Sequence, residues 1–77
     1  MYTLHGTLVH MKAQEVVAEI RAEMARRQLT AAELARGLGV NERSLRRGLR
    51  GEREFSLAEL DAILDMLGLA LALERRP

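Results

Sequence analysis

Four arginines, Arg43, Arg46, Arg47 and Arg50, fall within eight residues of one another, and Arg53 follows three positions later. Residues 42–53 hold five arginines against two glutamates, a local charge of +3, while residues 1–41 sum to +1 and residues 54–77 to −3. The whole 77-residue chain carries only +1, so its positive charge is concentrated in one short window. A guanidinium is a planar fork of donors that matches phosphate oxygens and the major-groove edge of guanine, so such a window suits a polyanion. Two plainer readings stand beside that one. Charge runs are commonly solvated helix faces, and a GC-rich genome also yields arginine at eleven of twelve cationic positions.

No other group of residues offers chemistry. The chain has no cysteine and two histidines, His5 and His10, whose five-residue spacing puts them on opposite faces of a strand and off a common helix face. Ser44 and Ser56 are accounted for by a helix surface and a helix start, so no nucleophile lies beside a base, and no glycine-rich phosphate loop is present. Neither an enzyme, a cofactor nor a metal site is expected.

The cationic window has to be presented by its neighbours. Residues 1–10 are rich in β-formers and predict a strand or extended arm with Tyr2, Leu4 and Leu8 on one side. From Lys12 to Arg27 the period becomes helical: Val16, Val17, Ile20 and Met24 form an inward stripe, with Glu15, Glu19, Glu23 and Arg26 on the other face. Thr30-Ala31-Ala32-Glu33 is a capping box that opens a short second helix, with Leu34, Ala35 and Leu38 inward and an end near Gly37–Gly39. Asn41 caps a third helix from Glu42 to about Leu49, buried along Leu45 and Leu49 and stopped at Gly51. A second capping box, Ser56-Leu57-Ala58-Glu59, opens a fourth helix whose Leu57, Leu60, Ile63, Leu64 and Leu67 make an apolar stripe ending at Gly68. Leu69-Ala70-Leu71-Ala72-Leu73 then alternates with period two, which favours a strand over a prolonged helix because Gly68 breaks the helical phase.

Helix 2, a glycine-containing turn and cationic helix 3 make a helix-turn-helix, with Leu38, Val40 and Leu45 expected to lock the crossing. A helix about 10–12 Å across fits the ~12 Å major groove of B-DNA. Within helix 3, Glu42 can accept from a cytosine amino group or pair with Arg46 four residues on, and the pair is favoured.

From Val17 to Leu67 the chain resembles the λ-repressor/Cro-type (XRE-like) DNA-binding domain. The resemblance rests on Leu29-Thr30, Glu33-Leu34-Ala35, Leu38-Gly39-Val40, Ser44-Leu45, Arg50-Gly51 and Ser56-Leu57-Ala58-Glu59-Leu60, all in register. It implies a mainly α fold, a bundle of four to five helices that binds double-stranded operator DNA as a homodimer. By position it places a phosphate contact at the start of helix 2, at Thr30 and Ala31, and base reading on Asn41, Glu42, Arg43, Arg46 and Arg47. Arg50 and Arg53 are expected as phosphate anchors, joined by Arg26, Arg27 and Arg36 if these lie on the same side. Two residues depart from the pattern. Ala31 stands where many relatives have glutamine, which leaves the contact to backbone N–H groups. Gly48 replaces a bulky apolar residue and implies either close packing or an early end to helix 3.

The C-terminal alternation more weakly resembles HipB-type antitoxins, whose last strand pairs across the dimer axis, and this assigns dimerisation to Leu69, Leu71 and Leu73. The expected organisation is an N-terminal strand or arm (1–11), a DNA-binding domain (12–68) and a dimerisation tail (69–77). A chain this short without disulfides has few stabilisers besides oligomerisation, which supports a dimer independently. No apolar run reaches the ~20 residues of a membrane span, no signal-peptide layout opens the chain, and a cytoplasmic location is expected. The leading expectation is a transcriptional repressor of bacterial or phage origin. One alternative is an antitoxin that also binds a toxin protein, and a further class is a module whose third helix binds an acidic protein.

Overall fold

Helix starts and stops are set by local hydrogen bonds that the sequence supplies within four residues. The computed structural model describes residues 13–69, arranged as α1 (Ala13–Arg26), α2 (Ala31–Leu38), α3 (Glu42–Leu49) and α4 (Leu57–Met66). At α2, the Glu33 N–H donates to the Thr30 hydroxyl at 3.1 Å while the Glu33 carboxylate accepts the Thr30 N–H at 2.9 Å. Ser56 and Glu59 repeat the exchange at α4, at 3.0 and 2.7 Å. Asn41 opens α3 by accepting the Ser44 N–H at 2.9 Å. Both capping boxes and the asparagine cap thus stand where the residue types place them.

All four helices end in the Schellman arrangement, in which a residue in the left-handed region lets the next N–H reach back to a carbonyl five residues earlier. After α2, α3 and α4 that residue is Gly39, Gly51 or Gly68, with φ of 69°, 79° and 67°. After α1 it is Gln28, with φ 53°; its own N–H donates to Ala25 at 3.1 Å, and the Leu29 N–H donates to Met24 at 2.8 Å. A side chain in this region costs roughly 1 kcal/mol relative to glycine. Gln28→Gly should therefore stabilise the domain by about 0.5–1 kcal/mol, read as a higher urea midpoint with an unchanged slope. An unchanged or lower midpoint would show that α1 gains nothing from a relaxed end.

The core draws on every helix: Val16, Ile20 and Met24 of α1, Leu34 and Ala35 of α2, Leu45 and Leu49 of α3, and Ile63 and Leu64 of α4 with Leu67. α2 packs most extensively against α3 and then α4, with α1 against α3. Ile20, Leu34, Ile63 and Leu67 are fully enclosed.

Several sequence-based expectations are corrected. Leu57 is 74% exposed, so the inward stripe of α4 begins at half-buried Leu60 and is fully covered only at Ile63 and Leu64. Val40 is 48% exposed and leaves the crossing to Leu45 and half-buried Leu38. Glu23, expected on the outer face, is buried: it lies three residues beyond Ile20 and one before Met24, at the edge of the inward stripe. Its carboxylate accepts from Arg26 at 2.6 Å and Arg27 at 2.7 Å, and these two arginines hold its pKa below the usual carboxylate range. Arg27 also donates to the Leu67 carbonyl, tying the end of α1 to the end of α4.

Leu69, assigned above to a dimer strand, is buried in the core, and its N–H donates to Leu64 at 2.8 Å to complete the stop of α4. Its side chain therefore closes the monomer. The N-terminal strand and the alternation from Ala70 onward, including Leu71 and Leu73, lie outside the described residues. Among the described residues there is no strand, and no helix is long and apolar enough to cross a membrane.

Candidate nucleic-acid interface

Gly39, Val40 and Asn41 separate α2 from α3, and the left-handed backbone at Gly39 turns the chain sharply enough for the two helices to pack on each other. α3 is sharply two-sided. Leu45, Gly48 and Leu49 are buried, while Glu42, Arg43, Arg46, Arg47 and Arg50 are exposed. The helix continues through Gly48 to Leu49, so of the two explanations for this glycine close packing is the one observed. A Cβ built on Gly48 would lie 2.3 and 2.4 Å from ring carbons of Phe55. Phe55 occupies the space that a side chain at position 48 would need.

Arg53 covers the face of that ring. Its guanidinium carbon lies 4.9 Å from the ring centroid, its Nε donates to the Ser44 carbonyl at 3.0 Å, and one Nη donates to Glu54 at 3.2 Å. Both Nη groups reach the Glu59 carboxylate, at 3.2 and 3.0 Å. The Arg53 bonds, followed by the Ser56 N–H, pull the Glu59 pKa down to about 2, so this clamp stays ionised through mild acid. Arg53 was expected to anchor phosphate. In the structure its donors go to the Ser44 carbonyl in α3, the Glu54 carbonyl in the loop and the Glu59 carboxylate at the cap of α4.

The three arginines of α3 and Arg50 at its C-cap divide into two pairs. The Arg46 Nε donates to Glu42 at 2.8 Å, the favoured i, i+4 pair, and Arg50 pairs with Glu52 at 2.9 Å. Among the described residues Arg43 and Arg47 have no ion pair. They border an open depression of about 440 Å³ with Asn41 and Ser44. On the opposite flank of α3 a cleft of about 340 Å³ is bordered by Ala31, Arg21, Arg46 and Arg50. α3 thus stands as a ridge between two depressions, each bordered by arginine.

Thr30 is exposed at the start of α2, with its hydroxyl and N–H committed to the capping box, and Ala31 is half-buried beside the second cleft. The Ala31 and Ala32 N–H groups lie in the first turn, outside the capping exchange, and form the positive end of the helix. Arg26 and Arg27 are held by Glu23, and exposed Arg36 borders neither depression. Sequence reasoning missed Arg21. Its position four residues after Val17 and three before Met24 puts it at the margin of the α1 stripe, where a long side chain reaches toward α3.

A family model for the Cro/C1-type HTH DNA-binding domain matches residues 19–72, more than two-thirds of the chain. Neither a curated protein nor a solved structure matches the chain significantly. The matched span runs from α1 through α4 and contains the turn and the two-sided α3 described above. On that agreement between match and geometry, the chain belongs to the Cro/C1-type helix-turn-helix family of DNA-binding domains.

Proposed function

We propose that this protein is a homodimeric transcriptional repressor that docks two copies of α3 into successive major grooves of a pseudo-palindromic operator. Half-sites then lie about 34 Å apart. The observation that carries the reading is that Arg43 and Arg47 are exposed on the ridge beside Asn41 and have no ion pair among the described residues. In this reading these three residues reach base edges, Arg46 and Arg50 bind phosphate, and the start of α2 at Thr30 and Ala31 contacts the backbone through N–H groups. Glu42 serves chiefly to orient Arg46. Leu71 and Leu73 supply the dimer contact, and repression follows from occupying a promoter. The chain performs no catalysis.

An antitoxin would use the same DNA face, and one feature favours a second partner surface: Leu57 and Met66 are exposed on α4, which also carries exposed Asp61 and Asp65. A toxin gene beside this one would favour that version.

The experiment is a selection from random duplexes followed by a salt titration and sedimentation of the free protein. The expected results are a single preferred site with dyad symmetry, an affinity that falls linearly on a log–log salt plot, and a dimer at micromolar concentration. Absence of any preferred sequence together with indifference to salt would sink the DNA-binding reading. A monomer would remove the two-half-site mechanism.

A further inference from the structure

Three helices contribute to the cleft on the α1 side of α3, and its chemistry is not that of a base-reading surface. Arg21 of α1, Arg46 of α3, Arg50 at the C-cap of α3 and the first residue of α2, Ala31, border it, over an apolar floor that includes Met24 and Leu49. No carboxylate lines this cleft; Glu42 and Glu52, the partners of Arg46 and Arg50, both lie outside it. Arg21 is exposed and has no ion pair among the described residues, whereas Arg26 and Arg27 on the same helix share the Glu23 carboxylate. Arg46 and Arg50 keep N–H donors beyond those given to Glu42 and Glu52, Arg21 gives none to a carboxylate among the described residues, and a tetrahedral oxyanion can accept from several guanidinium forks at once. A base edge offers no such charge.

We propose that this cleft seats one phosphodiester of the duplex backbone and that Arg21 is a DNA-contacting residue on α1. The inference rests on the DNA-binding reading above. It gives the two flanks of α3 separate tasks: the side with Asn41, Arg43 and Arg47 reads bases, and the side with Arg21, Arg46 and Arg50 holds the strand and sets how deeply the helix enters the groove.

The test compares Arg21→Gln with Arg36→Gln, a charge-matched change at an exposed residue outside the cleft, with wild-type melting curves confirming that both fold. On the selected duplex, Arg21→Gln should lower affinity on the order of threefold to tenfold per subunit and reduce the steepness of the salt plot by about one per subunit. The preferred sequence should not change, and Arg36→Gln should leave the slope as it was. A scan with a single neutral methylphosphonate at each backbone position should find one position per half-site that weakens the wild type and leaves Arg21→Gln unaffected. Equal effects from the two variants would show that only overall charge matters and would overturn the seat. An Arg21→Gln salt slope equal to wild type, with the wild type still binding, would overturn it too. Failure of the wild type to bind any duplex would reject the underlying reading instead.

Discussion

Gly48→Ala should destabilise the domain by about 1–3 kcal/mol, the range for forcing an extra methyl group into a packed site. The direction is opposite to ordinary helix propensity, by which the same exchange in an exposed helix interior gains about 1 kcal/mol. The reason is the 2.3 Å approach between a Cβ at position 48 and the Phe55 ring, well inside van der Waals contact. The ring has no easy retreat, since the Arg53 guanidinium covers it at 4.9 Å and is itself bound to Ser44 and Glu59. Either the ring moves and this clamp loosens, or α3 moves away from the loop. In a domain of this size each kcal/mol corresponds to roughly 4–8 °C in melting temperature, so thermal denaturation followed by circular dichroism resolves the effect. Combining the change with Phe55→Leu should cost less than the two single losses added together, because the smaller side chain vacates the contested space. A Gly48→Ala variant melting at or above the wild-type temperature would show that the ring yields freely and does not set the position of α3.

Reversing Arg43 and Arg47 together to glutamate should lower affinity for the selected duplex on the order of a thousandfold or more. A bidentate arginine–guanine contact is worth about 1–3 kcal/mol of discrimination, a dimer loses four such side chains, and the new carboxylates face phosphates. These two residues are preferred over Arg46 because Arg46 already pairs with Glu42, and a glutamate there would add a like-charge repulsion at i, i+4 to any DNA effect. Arg43→Gln with Arg47→Gln removes the same contacts without reversing charge, and should retain the helicity of the wild type while losing sequence preference. Unaltered binding by either double variant would mean that α3 is not the reader. Arg53→Gln makes a useful contrast, since its guanidinium joins Ser44, Glu54, Phe55 and Glu59 and its loss should appear in the melting curve.

How far the site could be read from the sequence follows from the range of each interaction. The Glu42–Arg46 pair was legible because both partners sit on one helix four residues apart. The outward face of α3 was legible because Leu45 and Leu49 identify the opposite one. Arg53 was not, since its partners lie one, six and nine residues away on segments whose approach no local pattern encodes. Arg21 was missed for a related reason: its relevance comes from α1 packing beside α3 across more than twenty residues of chain.

By itself the sequence determined the four helices, their caps at Thr30, Asn41 and Ser56, the glycines that end three of them, and which side of α3 carries the arginines. These are contests between donors, acceptors and apolar side chains within one or two turns, where residue type nearly decides the outcome. Tertiary structure alone decided that Gly48 makes room for Phe55, that Arg53 serves the loop, that Glu23 is buried, that Leu57 stays in solvent and that Leu69 closes the core. Each of these depends on which surface arrives from elsewhere in the chain. That is settled by shape and close packing among all four helices at once, and no short window of residues contains the information.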